Sequence, residues 1–331
     1  SLSRLGLICT GLLLGYVLPS AAQERIETHS PNGKLTITVD MEQGAPNYEI
    51  TYQDRPVVLK SALGINGNGE WTHDMQIAEV TRSSCDTTWK PLYGERSEIP
   101  DQYNQSIIRF TQTGHLSALQ LEIRAYNEGI AFRYLFPEGG GYLHITDEAT
   151  EFTLPEGTMA YFAPLAQAEH QKLPLRNWPG EADRPLTIEL PNGFYGALCE
   201  AQVVDYVRTK FKLHESKANT LACSMYGAVD EIAPYATPWR VVMVAEKPGA
   251  LIENNYLLLN LNPPCEIDTP WWIKPGKVMR EVTLSTQGAK KLVDFAVKRN
   301  LQYIEFDAGW YGYEYEKASD ASKVDVDPRR N

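Results

Sequence analysis

Asp307 and Trp310 stand where the alternating run Leu301-Gln302-Tyr303-Ile304-Glu305-Phe306 gives way to Ala308-Gly309. At the C-terminal end of a strand an aspartate can hold hydroxyl groups, and an indole face can stack on a pyranose ring. The ordinary alternative is that Asp307 caps the following turn and Trp310 plugs the end of the strand layer. Glu181 offers different chemistry. In Trp178-Pro179-Gly180-Glu181-Ala182-Asp183-Arg184-Pro185 a carboxylate stands on a loop stiffened by proline, which suits a hard cation or a hydroxyl group. Its alternative is an exposed loop with a Glu181–Arg184 pair that contributes little. Glu200, in Cys199-Glu200-Ala201-Gln202, follows an apolar strand and reads as a polar group presented at a strand end or as a surface charge. Thr237-Pro238-Trp239-Arg240 reads as structural: Trp239 fills the sandwich core, and Arg240 satisfies loop carbonyls or a carboxylate. Tyr93-Gly94-Glu95-Arg96 is a plain turn or a loop able to lean on a second domain.

Several other chemistries find no support. No GxSxG, HExxH or EF-hand pattern occurs, and Gly139-Gly140-Gly141 lies between strands and opens no helix, so it is no phosphate loop. The six histidines are scattered; only His170, beside Glu169, is near a candidate carboxylate. Cys85, Cys199, Cys223 and Cys265 form no CxxC and no cluster with histidine, which makes zinc an unsuitable expectation. An oxidising compartment would permit a bond such as Cys199 with Cys223, but a chain of this length does not need one, and free buried thiols are expected.

The elements that must position these residues change character along the chain. Segments 34–40, 48–52, 107–110, 119–126, 130–136, 186–190, 196–199 and 240–244 read as short, half-buried antiparallel strands. Asn127-Glu128-Gly129 and Pro191-Asn192-Gly193 supply turn chemistry between them. Many strands at regular spacing with almost no helical period predict a large β-sandwich. After the stiff connector Pro270-Trp271-Trp272-Ile273-Lys274-Pro275-Gly276, residues 286–300 read as an amphipathic helix with Thr286 at its N-cap, Leu292, Phe295 and Ala296 on one face, and Asn300 as its left-handed C-terminal residue. A strand follows over 301–307. One helix and one strand open an α/β barrel but cannot bury its faces, so the chain is expected to be the front part of a longer protein.

The chain has 331 residues, 43% of them hydrophobic, and a net charge of −11, which lacks the positive field that nucleic acid requires. Arg4, the apolar run 5–18 broken by Gly6, Gly11 and Gly15, and Pro19-Ser20-Ala21-Ala22 follow the order of a secretory signal peptide. Ile8 before Cys9 is too large for lipoprotein cleavage. Removal of 1–22 would leave 30 basic against 42 acidic residues, and no later stretch is long enough to span a bilayer. The chain starts with serine, so its first residue is expected to be missing.

As an ordered set, these segments resemble glycoside hydrolase family 97. The resemblance rests on Ser30-Pro31-Asn32-Gly33, Asn127-Glu128-Gly129-Ile130-Ala131-Phe132-Arg133-Tyr134, Thr237-Pro238-Trp239-Arg240, Leu259-Asn260-Leu261-Asn262-Pro263-Pro264, Trp272-Ile273-Lys274-Pro275-Gly276-Lys277 and Tyr303-Ile304-Glu305-Phe306-Asp307-Ala308-Gly309-Trp310. It covers essentially the whole chain after the leader. It implies a mainly β fold: a signal peptide over 1–22, an N-terminal β-sandwich over 23–270, and, over 271–331, a linker with the first elements of a truncated (β/α)8 catalytic barrel. It also implies a secreted or periplasmic bacterial exo-acting α-glucosidase or α-galactosidase that uses calcium and takes oligosaccharides, with no nucleic-acid partner and no membrane association after signal cleavage.

The catalytic carboxylates of the family lie on later barrel strands, so they are expected beyond Asn331. Glu181 matches a sandwich glutamate that ligates calcium, with Glu169 in reserve. Glu200-Ala201 resembles a substrate-facing segment, and Asp307 and Trp310 are the other substrate-binding candidates. After Lys277, Val278-Met279-Arg280-Glu281-Val282-Thr283 replaces the tryptophan-rich stretch of many members and looks like the retaining branch, where α-galactosidases occur. The rival reading is a non-catalytic carbohydrate-binding or structural sandwich, which would not need the helix and strand that end at Asp307 and Trp310.

Overall fold

Alternation of apolar and polar residues decides which side chains face inward. In the antiparallel strands Leu35–Glu42 and Ala45–Tyr52, Leu35, Ile37, Val39, Tyr48 and Ile50 are buried while their neighbours are less so. The computed structural model describes residues 25–114, 118–309, 311–312, 316, 318–320 and 322. They fall into two units, the described residues of 25–90 and 98–264 in one and those of 91–97 and 265–322 in the other.

The first unit holds two large sheets. One runs, in spatial order, Arg25–His29, Leu35–Glu42, Ala45–Tyr52, Arg55–Ala62, Glu151–Thr153, Thr220–Met225 and Thr209–Leu213. The other runs Gln171–Pro174, Met159–Phe162, Leu186–Glu189, Tyr195–Ala201, Trp239–Ala245, Gly129–Phe136, Leu119–Tyr126, Ile99–Gln112 and Met75–Trp89, with Tyr235–Ala236 paired beside Gly129–Phe136. A four-stranded sheet, Val229–Ile232, Tyr142–Glu148, Ile65–Gly67 and Glu70–Trp71, completes the unit.

A single core fills the space between the large sheets. Tyr48 meets Phe132 with ring centroids 5.1 Å apart, and Phe152 meets Phe211 edge-on at 5.6 Å. Each such side chain contributes roughly 1.5–3 kcal/mol by leaving water. Gly129 starts its strand because a β-carbon there would lie 2.7 Å from the Val242 carbonyl oxygen of the neighbouring strand.

The outer face of the larger sheet is covered as well. Trp239, Val241 and Met243 point that way and pack with Tyr126, Ala131 and Ala197 beneath Leu257 of the helix Tyr256–Asn260. Trp239 therefore does not fill the inter-sheet core, as the sequence predicts; it is buried on the opposite face, because its parity along the strand differs from that of Val242. Arg124 and Arg133 lie 4.9 Å and 4.3 Å from its ring centroid. Among the described residues the four cysteines are free: Cys199 and Cys223 are buried, Cys85 is partly buried and Cys265 is exposed. No described helix is long and apolar enough to cross a membrane.

The second unit contains one strand more than the sequence reading predicts. Val278–Arg280 pairs in parallel with Tyr303–Glu305, and the helix Thr286–Lys298 connects them. The lone strand of the sequence reading thus has a partner, which its short, polar-flanked sequence concealed. Ser285, not Thr286, is the N-cap: its hydroxyl accepts a hydrogen bond from the Gly288 amide at 3.0 Å. Asn300 ends the helix in the left-handed conformation, φ 53°, as its type predicts. Ser285→Ala is expected to destabilise this helix by about 1 kcal/mol, read as faster amide exchange over 286–298 with the sandwich unchanged.

Candidate functional site

Trp239–Ala245 is buried at every position, and along its inward face Arg240 precedes Val242 and Val244. A guanidinium among apolar side chains must find carboxylates, and Arg240, only 1% exposed, finds two. Its Nε and Nη2 donate to the two oxygens of Glu148 at 2.6 Å and 2.5 Å, a bidentate pair. Its Nη1 donates to Glu200 Oε2 at 2.8 Å, from the cross-strand position directly opposite. Tyr206 donates to Glu148 Oε2 at 3.1 Å, and Thr209 donates to Glu200 Oε2 at 3.1 Å. Glu148 ends a strand of the four-stranded sheet and Thr209 begins one of the seven-stranded sheet, so Arg240 and Glu200 tie all three sheets together.

The charges in this cluster are not evenly served. Burial alone would raise the Glu148 carboxyl, but the charge and hydrogen bonds of Arg240 outweigh it and hold the group below its ordinary value. Arg240 is correspondingly raised, Glu148 overcoming desolvation. Arg184 is lowered, first by burial and then by the like charge of Arg240. Its guanidinium stacks 3.8 Å from the Phe211 ring centroid, and its closest carboxylate contact is Nε at 3.6 Å from Glu200 Oε2. Among the described residues its three nitrogens meet no oxygen acceptor at hydrogen-bonding distance. Burial pushes the Cys223 thiol up to about 12 and the Cys199 thiol likewise up to about 12, so neither is a nucleophile at neutral pH.

The sequence candidates occupy different places. Glu181 is half-buried beside the bridge between Ala182 and Phe211; its Oε1 accepts from Ser224 at 2.5 Å, and Oε2 has no partner among the described residues. Glu181 does not pair with Arg184, whose side chain turns inward; Asp183 pairs instead with Arg208 at 2.6 Å. Glu169 is exposed in a loop. Glu200 lies within its strand, not after it, and its carboxylate is held by Arg240 and Thr209. In the second unit Asp307 pairs with Arg280 at 2.8 Å, each just past the end of its parallel strand or at that end. Trp310 lies outside the described residues. Glu148 was not a sequence candidate. The signal that points to it is the parity of Arg240, which places a cation on the core face and so demands a buried anion.

These elements match a known sequence pattern over most of their length: the family described as glycosyl-hydrolase 97 N-terminal matches residues 28–264. The chain belongs to glycoside hydrolase family 97. A probable retaining α-galactosidase of Streptomyces bingchenggensis (strain BCW-1) is 22% identical over 319 residues, covering 91% of this chain and 49% of the relative. A retaining α-galactosidase of Bacteroides thetaiotaomicron is 24% identical over 345 residues, covering 87% and 51%. Among solved structures, a family 97 enzyme from Pseudoalteromonas sp. strain K8 in complex with panose superposes with a TM-score of 0.78 at 25% identity over 87% of this chain and 48% of that one. A second structure of that enzyme, in complex with acarbose, matches equally. The chain spans about half the length of the curated relatives it matches.

Proposed function

We propose that this chain is the N-terminal part of a secreted, calcium-dependent exo-acting α-galactosidase that removes terminal α-linked galactose from oligosaccharides. The observation that carries the reading is family 97 membership together with two curated relatives named as retaining α-galactosidases, each matching most of the chain. The parallel pair 278–280 and 303–305 joined by a helix fits the first turn of a (β/α)8 barrel, with Arg280 and Asp307 at the strand ends that would face the substrate. No nucleophile or general acid is assigned within these residues. Retention of configuration would require a carboxyl pair about 5–5.5 Å apart on the later strands.

Calcium takes roughly 6–8 oxygens. Among the described residues no group of three or more His, Cys, Asp or Glu side chains converges as a metal site, so the reading asks of Glu181 only a single ligand to an ion held mainly by other residues. Glu181 fits that role: Ser224 fixes one carboxylate oxygen, and the other meets no partner among the described residues. Bound there, the ion would orient sugar hydroxyls and stabilise developing charge.

The experiment is turnover of an aryl α-galactoside and an aryl α-glucoside by the complete gene product, with and without a chelator. Galactoside hydrolysis lost on chelation and restored by calcium is expected. No hydrolysis of either substrate would favour the non-catalytic sandwich, and faster hydrolysis of the glucoside would move the enzyme to the other specificity. Glu181→Gln is expected to shift the calcium titration of activity by about tenfold, roughly 1.4 kcal/mol, while the fold persists. If Glu181→Gln titrates like wild type and Glu169→Gln or Glu200→Gln does not, the ligand is one of those residues instead.

A further inference from the structure

A small cavity opens where the four-stranded sheet meets the end of the larger one. It measures about 130 Å³ and is lined by Trp71, Phe136 and Ala233 together with Asn68, Glu138 and Tyr142. That volume is room for about four water molecules at ~30 Å³ each, enough to seat the edge of one sugar ring while the rest lies against the rim. The floor is aromatic, since Trp71 and Phe136 are almost wholly buried, whereas Tyr142 stands 60% exposed at the rim.

Tyr142 is not a loose surface side chain. It lies within the strand Tyr142–Glu148, its hydroxyl donates to Asp230 Oδ1 at 2.6 Å, and its ring stacks on His144 at 6.4 Å with an interplanar angle of 20°. His144 Nδ1 shares the same Asp230 oxygen at 2.6 Å. Asn68 clamps the backbone on either side: its Nδ2 donates to the Tyr142 carbonyl at 2.7 Å, and its Oδ1 accepts from the His144 amide at 3.1 Å. Glu138 accepts from Arg109 through one oxygen at 3.4 Å, and its other oxygen has no donor among the described residues. A fixed exposed aromatic face, an aromatic floor and carboxylate oxygens at the rim are what a neutral pyranose requires: its C–H face stacks and its hydroxyls donate.

We propose that this cavity is a pyranose-binding site, which takes one neutral hexose unit of an oligosaccharide on Tyr142 with its hydroxyls toward Glu138. The inference rests on the reading above that the protein handles oligosaccharides. Methyl α-D-galactopyranoside and methyl α-D-glucopyranoside are the probes, titrated into the chain and followed by tryptophan fluorescence and by saturation-transfer NMR. Saturable binding in the millimolar range is expected, as befits a single ring with few contacts. Tyr142→Leu, which keeps apolar bulk but loses the flat face, should weaken it about tenfold, and Tyr142→Phe should retain most of it. Glu138→Gln should weaken it by a smaller factor.

Unsaturable binding of both sugars, or equal affinity in wild type and Tyr142→Leu, would overturn the site. Hydrolysis of an aryl α-galactoside by the complete protein keeps the two readings apart. Activity without binding at Tyr142 sinks this inference alone, whereas sugar binding without activity sinks the assigned hydrolase function.

Discussion

Arg240→Met is expected to lower the stability of the sandwich unit by about 3–5 kcal/mol at pH 7, because it strands a buried carboxylate. Glu148 is 3% exposed and takes two of its hydrogen bonds from Arg240. Without that guanidinium only Tyr206 remains as a donor to it among the described residues. The pH dependence follows from the direction of the Glu148 shift. In wild type the folded-state pKa lies below the ordinary 4.5, so the pair contributes its full stability above that value and loses it as the pH falls through the folded pKa. In Arg240→Met desolvation, the largest influence, is opposed only by the more distant charge of Arg184 and the Tyr206 hydrogen bond, so the same carboxyl is expected to rise above its unfolded value, penalising the folded state at neutral pH and relieving it on acidification. Urea melts at pH 7 and near pH 4.5 should therefore show the gap between variant and wild type narrowing at the lower pH. Arg240→Met combined with Glu148→Gln should recover part of the loss. A gap that is constant with pH would mean that Glu148 is not ionised against Arg240.

Arg184→Met is expected to act in the opposite direction, raising stability by about 1–3 kcal/mol. The guanidinium is desolvated, close to Arg240, and short of oxygen acceptors among the described residues. Its folded pKa is lowered, so the folded state is disfavoured wherever the group is charged, which is the whole ordinary pH range. Methionine is shorter but unbranched and polarisable, so it can fill the stem of the arginine toward the Phe211 ring without the charge. The decisive measurement is the urea midpoint of Arg184→Met against wild type at constant m-value. A fall of more than about 1 kcal/mol would show that Arg184 holds an acceptor in solution that offsets its desolvation.

The legible parts of this protein are those where local pattern and global fold agree. The alternation in 34–40 and 119–126, the turn at Asn127-Glu128-Gly129, and the helical spacing of 286–300 each carry their own signal. Met75–Trp89 carries none: it is a long strand of mostly polar residues, held by its pairing with Ile99–Gln112 and half-exposed along its length. Val278–Arg280 is hidden for the same reason, being three exposed residues that become a strand only through a partner further along the chain. The charged cluster was half legible. Arg240 announces a need for a carboxylate, but Glu148 lies 92 residues away, and only the fold brings them together. Glu181 and Glu200 were found as residues, yet their pairing with Ser224 and with Arg240 depends on cross-strand register, which no local spacing encodes.

The position of Trp239–Ala245 also sets an order in time. It is the last of the nine strands along the large sheet to leave the ribosome, yet it lies between Tyr195–Ala201 and Gly129–Phe136. Until it is made, the hairpin stack from 75–136 and the stack from 159–201 are separate half-sheets, each with an open hydrophobic edge facing a gap. Such edges recruit whatever strand comes first, from this chain or another. Closure by a late, central strand makes assembly of this sheet a slow, all-or-none event on the millisecond-to-second scale typical of non-local β topologies. Anything that delays residues 239–245, whether a pause in synthesis or a break in the chain before them, would release two sticky halves in place of one finished wall.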